Sequence, residues 1–270
     1  MDHIKIEVTA NEYQQEELIA LLEDYAASGF EQTDEKLIAY FSEPDFVEKD
    51  VLLVVGSYSY TLSIVPAQNW NALWEENFQP VAVENFCGVR AHFHAPLSSV
   101  QHEIIITPKM SFGTGHHATT YMMMAQMKEI NFKDKTVFDF GTGTGILAIL
   151  AKKLGAASVH AIDVDEWSIE NAKENIERNS CVGIGLELST VIPSRSFDIF
   201  LANINRNVIL DYLPIIQNTL LPASCLVLSG LLVTDEAEIL AACDLHHLIL
   251  RKRLEKSGWI SLFLVNQQQP

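Results

Sequence analysis

The sequence has few basic residues, and this shortage restricts its partners. Its 270 residues include 18 Lys and Arg against 35 Asp and Glu, for a net charge of −17. A surface with this balance repels phosphate backbones, so we expect no direct nucleic-acid binding. The same charge attracts a basic partner, and more weakly as salt rises.

The sequence also lacks cysteine pairs with the spacing of a metal or redox site. Cys87, Cys181, Cys225 and Cys243 include no C-x-x-C pair, which leaves zinc and thioredoxin-type sites without support. His116 and His117 are adjacent, a poor spacing for two ligands on one helix, and we expect no metal. The cysteines are typical of reduced thiols in a cytoplasmic protein.

No apolar run is long enough to cross a bilayer. The longest stretch, Leu220–Val233, is interrupted by Pro222 and Gly230. The N-terminal segment MDHIKIEVTANEYQQEE has neither a basic start nor an apolar core. We therefore expect a cytoplasmic protein without a signal peptide and without membrane association.

The first 66 residues predict a small α+β domain. Apolar and polar residues alternate over Ile4–Val8, as in a half-buried strand. Thr9 and Glu12 have the spacing of a capping box at the start of a helix. Short strands, a second helix and a last strand follow, which gives the ferredoxin-like order β-α-β-β-α-β. We predict an N-terminal domain at 1–66 and a linker at 67–80.

Residues 81–270 predict a second domain of the α/β class. From residue 116 onward, apolar strands alternate with amphipathic helices, which indicates a doubly wound parallel sheet. Two strands between Leu245 and Val265 predict a terminal antiparallel hairpin. Apolar segments between residues 81 and 106 predict additional strands before this sheet.

The most specific feature is a glycine loop, VFDFGTGTGILA, between a strand and a helix. Gly141, Gly143 and Gly145 allow a tight turn and let a ligand lie against the backbone. The next strand ends at Asp163, 20 residues after Gly143. A carboxylate there can accept hydrogen bonds from both ribose hydroxyls of a nucleoside.

Two cofactors compete for this loop. The pattern Gly143-x-Gly145-x-x-Ala148 fits a loose dinucleotide fingerprint and indicates an NAD-dependent oxidoreductase. The pattern Asp139-x-Gly141-x-Gly143-x-Gly145 is typical of class I methyltransferases, which bind S-adenosylmethionine. Asp139 and the terminal hairpin favour the methyltransferase.

Two further segments carry a resemblance to a known family. These are TPKMSFGTGHHATT at Thr107–Thr120 and LANIN at Leu201–Asn205. Together with the glycine loop and AIDVD, they resemble the PrmA family of bacterial ribosomal protein methyltransferases. The resemblance runs from about Trp70 to the C-terminus and is densest in these motifs.

The resemblance implies a fold and an activity. The fold is a class I methyltransferase (Rossmann-like) doubly wound sheet with a terminal antiparallel hairpin, preceded by a ferredoxin-like substrate-recognition domain. The activity is S-adenosylmethionine-dependent methylation of lysine ε-amines and an N-terminal α-amine of ribosomal protein L11. The implied partner is therefore a basic ribosomal protein in the cytoplasm, and we expect the enzyme to be a monomer.

The resemblance also assigns site residues. Cofactor contacts fall on Thr120, Gly141, Gly143, Asp163, Asn203 and Phe112. His117 matches a histidine near the methyl group, and Asn203 is expected to orient the amine, so these two are the candidate catalytic residues. The chain departs from the family pattern at Thr142 and Thr144, which replace Cys and Ser, and at Ala118, which replaces Pro.

Three alternatives stay open at this point. They are a class I methyltransferase of another substrate, such as a small molecule, a nicotinamide-dependent oxidoreductase, and a non-catalytic ribosome-assembly factor that keeps the fold. Retention of SFGTGHHATT argues against the first. Cofactor identity tests the second, and turnover on a ribosomal protein tests the third.

Overall fold

A computed structural model describes residues 3–65, 78–109 and 113–267. The chain divides into two compact units at residues 1–77 and 78–270. This division falls inside the segment that we predict as a linker, 67–80, most of which lies outside the described residues.

The first unit is a four-stranded antiparallel sheet with two helices. Its strand order is β2-β3-β1-β4, and its elements follow the predicted order β-α-β-β-α-β. A short 3₁₀ turn, Glu43–Asp45, precedes the second helix. The elements are β1 (His3–Thr9), α1 (Glu12–Glu23), β2 (Ala27–Gln32), β3 (Lys36–Ser42), α2 (Glu48–Val55) and β4 (Tyr60–Val65).

Helix α1 starts at a different cap from the one predicted. Asn11 is the N-cap residue, and its side chain and that of Gln14 bond reciprocally to each other's backbone N–H groups, both at 3.0 Å. The predicted box on Thr9 and Glu12 is wrong, because Thr9 is the last residue of β1 and pairs with Lys36 of β3. The capping box is therefore real but lies two residues further along the chain.

The second unit contains ten strands and five helices among its described residues. The strands are β5 (Val81–Val83), β6 (Cys87–Ala91), β7 (His102–Ile106), β8 (Thr136–Phe140), β9 (Ser158–Asp163), β10 (Ile184–Leu188), β11 (Phe197–Asn203), β12 (Leu220–Leu232), β13 (Leu248–Lys256) and β14 (Trp259–Asn266). The helices are α3 (Ala118–Met127), α4 (Ile146–Lys153), α5 (Glu166–Arg178), α6 (Arg206–Asn218) and α7 (Glu236–Leu245).

Seven of these strands form the main sheet, in the order β10-β9-β8-β11-β12-β14-β13. The first five are parallel, and β14 pairs antiparallel with both β12 and β13, so the doubly wound sheet with a terminal hairpin is confirmed. Neighbouring residues of a strand face opposite helix layers: Val137 packs into one apolar cluster and Phe138 into the other. Such burial on both faces is typical of parallel sheets.

A separate sheet, β5-β6-β7, is joined to helix α5 by three asparagine side chains, which we call the asparagine ladder: Asn171, Asn175 and Asn179. Asn179 bonds both the N–H and the C=O of Ile105, at 3.0 and 2.6 Å. Asn175 accepts from the Thr107 N–H at 2.7 Å, and Asn171 donates to the Thr107 C=O at 3.0 Å.

The spacing of these asparagine side chains fits the strand edge for a simple geometric reason. Four residues of helix rise about 6 Å, and two residues of strand about 6.6 Å, so Asn179 and Asn175 meet Ile105 and Thr107, two residues apart. Just beyond β7, Glu174 binds Lys109 at 2.8 Å and the Thr107 hydroxyl at 2.7 Å. These contacts, with Arg178, lower the pKa of Glu174 to about 2.

Two kinds of feature are not found in the part of the chain that the structure describes. No described helix has the length and apolar character to cross a membrane. Within the same residues, no group of three or more His, Cys, Asp or Glu side chains could hold a metal ion. The four cysteines are free thiols, and burial raises the pKa of Cys87 and of Cys243 to about 12.

Candidate active site

A cavity of about 470 Å³ opens at the carboxyl ends of the parallel strands. In a doubly wound sheet this edge is where ligands bind, and the volume lies within the usual range for ligand pockets. The lining residues are His117, Thr119, Phe140, Gly141, Gly143, Asp163, Val164, Ser168, Ser189, Asn203, Ile204, Asn205, Val208, Gly230 and Trp259.

The strand order gives the cavity a direction. Asp163 ends β9, Gly141 follows β8, and Asn203 ends β11, so these residues follow one another across the sheet. Gly230 in β12 and Trp259 at the start of β14 come next. The cavity therefore has a β9 end, marked by Asp163, and a β14 end, marked by Trp259.

The glycine loop is shaped for a ligand at close range. Gly141 has φ +73°, and a Cβ there would lie 2.5 Å from Cγ2 of Ile204. Below the loop, Asp139 is fully buried and accepts a hydrogen bond from the Thr142 hydroxyl at 2.6 Å. Burial raises the pKa of Asp139 to about 7. Asp139 thus supports the loop from beneath, whereas Gly141 and Gly143 form the cavity wall.

The Asp163 carboxylate is held in place by the backbone. One oxygen accepts from the N–H of Gly143 at 2.8 Å, and the other from the N–H of Asp165 at 3.1 Å. An ionised carboxylate has about four acceptor positions, so these two bonds leave about two for a ligand. Two ribose hydroxyls need that number.

Asn203 and Thr120 meet behind the centre of the cavity. The Asn203 Nδ2 donates to the buried Thr120 hydroxyl at 3.3 Å. Its Oδ1 is buried and has no hydrogen-bond partner in the described residues. Because a buried acceptor without a partner costs free energy, the position is suited to a ligand donor.

His117 is the N-cap of helix α3. Its Nδ1 lies 2.7 Å from the Thr119 hydroxyl and accepts from the Thr119 N–H at 3.4 Å. With Nδ1 as the acceptor, the neutral ring carries its hydrogen on Nε2. The start of α3, where backbone N–H groups favour anions, therefore faces the cavity.

Thr144 connects the two glycine segments. Its hydroxyl donates to the C=O of Gly113 at 2.6 Å, and its own C=O accepts from Asn175 Nδ2 at 2.8 Å. Asn175 also accepts from the Thr107 N–H, so one side chain joins the residue just beyond β7 to the glycine loop. Thr142 and Thr144 are the two departures from the family loop, and both hydroxyls form hydrogen bonds.

The structure brings most of the predicted site residues together. Gly141, Gly143, Asp163, Asn203 and His117 line the cavity, while Thr120 lies behind it, bonded to Asn203. Phe112 lies outside the described residues.

The sequence reasoning missed Gly230 and Trp259. Gly230 has φ +84°, and a Cβ there would meet the Ile204 carbonyl oxygen at 2.3 Å. Its signal was a glycine near the carboxyl end of a parallel strand that neighbours β11. No comparable signal marked Trp259, because the hairpin that places it at the cavity forms far along the chain.

Comparison with known proteins agrees with this geometry. Residues 6–267 match the family described as "Ribosomal protein L11 methyltransferase (PrmA)". A ribosomal protein L11 methyltransferase of Porphyromonas gingivalis is 37% identical over 91% of this chain and 88% of its own, and one of Chlorobaculum parvum is 38% identical over 87% and 86%.

Among solved structures, a ribosomal protein L11 methylase from Lactobacillus delbrueckii subsp. bulgaricus is similar, with a TM-score of 0.66 and 28% identity. The match covers 71% of this chain and all of that one. The sheet order, the cavity at its carboxyl edge and the match over nearly the whole sequence lead to one conclusion: the chain belongs to the ribosomal protein L11 methyltransferase (PrmA) family.

Proposed function

We propose that this protein methylates lysine ε-amines and the N-terminal α-amine of ribosomal protein L11, acting as a monomer in the cytoplasm. The observation that carries the proposal is the row Asp163, Gly141, Asn203 across one sheet edge, in a chain of this family. The enzyme is a methyltransferase, and its cofactor is S-adenosylmethionine.

The cavity fits this cofactor on three counts. Asp163 has acceptor positions for the two ribose hydroxyls. Gly141 and Gly143 present bare backbone to the cavity, so the methionine part can lie against it. The start of α3 at Thr119 and Thr120 supplies N–H and hydroxyl groups for the methionine carboxylate.

S-adenosylmethionine, when bound, would supply an activated methyl group on a sulfonium. The sulfur would keep the electron pair of the C–S bond as the amine nitrogen takes the methyl, and the methylated amine would lose its proton to water. The residues then have mainly to align a neutral amine. A free lysine, with a pKa of about 10.4, is neutral in only about one molecule in 2,500 at pH 7, whereas an α-amine near 8 is neutral far more often.

We assign the orientation of the amine to Asn203. Its buried Oδ1 can accept a hydrogen bond from an amine N–H. Because this bond uses a hydrogen of the amine, the nitrogen lone pair is left free to face the methyl group. The ring nitrogen of His117 that could take a proton, Nδ1, is already engaged by the hydroxyl and the N–H of Thr119. His117 is therefore proposed to shape the site and to place the start of α3, and not to act as a general base.

The distribution of charge supports a basic substrate. Residues 1–66 contain 14 acidic and 3 basic side chains, so this segment has a net charge of −11 out of −17 for the whole chain. Opposite charge steers association and raises its rate. We therefore propose that the N-terminal unit, residues 1–77, recognises the substrate and that the chain does not bind nucleic acid directly.

The test is transfer of labelled methyl groups from S-adenosylmethionine to purified ribosomal protein L11, with calorimetric titration of S-adenosylmethionine and NAD beside it. Label on L11 at lysines and the N-terminus, abolished in Asn203→Ala, is the expected result. Donor binding without transfer to L11 would contradict the proposed substrate. NAD binding without donor binding would contradict the cofactor assignment.

A further inference from the structure

The β14 end of the cavity has an aromatic wall that the mechanism above does not use. Trp259 follows a two-residue turn, Ser257 and Gly258, with φ of +52° and +80°. It pairs with Lys256 across the hairpin and with Leu232 of β12 on the other side. The backbone of Trp259 is therefore held by strands on both sides, which limits the movement of its indole.

Trp259 packs against His117, and both line the cavity. The ring centroids are 4.9 Å apart at an interplanar angle of 73°, an edge-to-face contact. Gly230, which follows Asn203 in the strand order, lines the cavity on the same side as this pair and packs against the backbone of Ile204. If the nucleoside lies toward Asp163, the acceptor has to enter near Trp259.

We propose that Trp259 forms the wall of the acceptor pocket and favours lysine side chains over chain-terminal α-amines. This inference rests on the proposed function and deepens it. The acceptor class is an amine on a flexible alkyl chain, including its mono- and dimethylated forms. Trp259 acts by contacting the acceptor, and cofactor binding does not depend on it.

The physical basis is the chemistry of the two acceptors. A lysine presents four methylene groups, which gain from contact with the broad apolar face of an indole. Its methylated forms are cations with more apolar surface and weaker hydration, and tryptophan is the best cation–π partner among side chains. An α-amine lies directly on the backbone and has no such chain to pack.

The experiment uses the full chain and two peptides. One peptide has a single lysine and an acetylated N-terminus, and the other has a free α-amine and no lysine. Trp259→Leu removes the aromatic ring, Trp259→Phe keeps a smaller one, and Trp167→Leu is the control, since that tryptophan is 75% exposed and outside the cavity.

We expect Trp259→Leu to raise KM for the lysine peptide by about 10- to 30-fold, with kcat changed by less than about 3-fold. Trp259→Phe should fall between it and the unchanged protein. KM for the α-amine peptide, the Kd for S-adenosylmethionine by calorimetry and every value for Trp167→Leu should change by less than about 3-fold. Mass spectrometry should show fewer trimethylated products in Trp259→Leu.

Two results separate this inference from the proposed function. An equal rise in KM for both peptides, or weaker binding of S-adenosylmethionine in both Trp259 variants, would overturn the proposed role of Trp259 and leave the proposed function standing. If the unchanged protein binds S-adenosylmethionine but methylates neither ribosomal protein L11 nor the peptides, the proposed function falls, and the acceptor pocket with it.

Discussion

Replacing Asp163 by Asn should weaken cofactor binding by a predictable amount. Its carboxylate accepts from Gly143 and Asp165 through different oxygens, which leaves about one acceptor position on each oxygen for the ribose. An amide keeps one oxygen and puts an NH₂ group in place of the other. In either orientation, one backbone N–H and one ribose hydroxyl lose their acceptor.

The lost bond to the ribose involves a charged acceptor, which is worth about 1.5–3 kcal/mol. The Kd for S-adenosylmethionine should therefore rise about 10- to 150-fold in Asp163→Asn, measured by isothermal titration calorimetry. Asp163→Ala removes both loop contacts as well, so it should lower the melting temperature more than Asp163→Asn does.

A ligand analogue checks that the contact is direct. S-adenosylhomocysteine without one ribose hydroxyl should bind the unchanged protein more weakly than complete S-adenosylhomocysteine does. In Asp163→Asn the same deletion should reduce the affinity by a smaller factor, because the two changes remove the same bond. Additive losses would show that the two groups do not touch. A Kd for Asp163→Asn within about 3-fold of the unchanged protein would refute the placement of the ribose.

Three other predictions follow. Burial raises the pKa of Asp139 to about 7 from its ordinary value of 3.8, so the folded protein should lose on the order of 4 kcal/mol of stability as pH rises between these two values. Urea unfolding of Asp139→Asn should lack this loss and should show higher stability at pH 8.5. Asn175→Ala should weaken S-adenosylmethionine binding, measured by calorimetry, more than Asn179→Ala, since both hold β7 but only Asn175 reaches the Thr144 carbonyl; equal effects would remove the link to the loop. Methylation of ribosomal protein L11 should slow between 50 and 500 mM salt, as expected for attraction between opposite charges at roughly these ionic strengths; a rate that does not change with salt would assign the charge of −17 to solubility alone.

Most of the fold could be predicted because its periodic segments are strong. The alternation of apolar strands and amphipathic helices that the sequence predicts from residue 116 onward is found in the structure, for example at β8 and α5. Strand β10 was not predicted: its sequence, IGLEL, is short, contains Gly185, and lies half-exposed at the edge of the sheet. The sequence did not mark His117 as the N-cap of α3, because histidine is not among the residues that commonly cap helices.

The residues of the candidate site also divide into those that the sequence could reveal and those that it could not. Gly141, Asp163 and Asn203 could be found because each belongs to a motif at the end of a parallel strand. Trp259 could not, because its position depends on the pairing of β14 with β12. The role of Asn175 was hidden as well, since polar side chains every four residues look like a helix face exposed to water.

The asparagine ladder has a consequence for self-association. Strand β7, with the sequence HEIII, lies at the edge of its sheet, and an apolar edge of this kind can pair with the same strand of another molecule and start aggregation. The Asn179 amide occupies the N–H and C=O of Ile105 on this edge, and Asn175 occupies the N–H of Thr107 just beyond it. Helix α5 therefore covers this edge without adding a strand, and local opening of α5 would expose the Ile105 N–H and C=O to another strand.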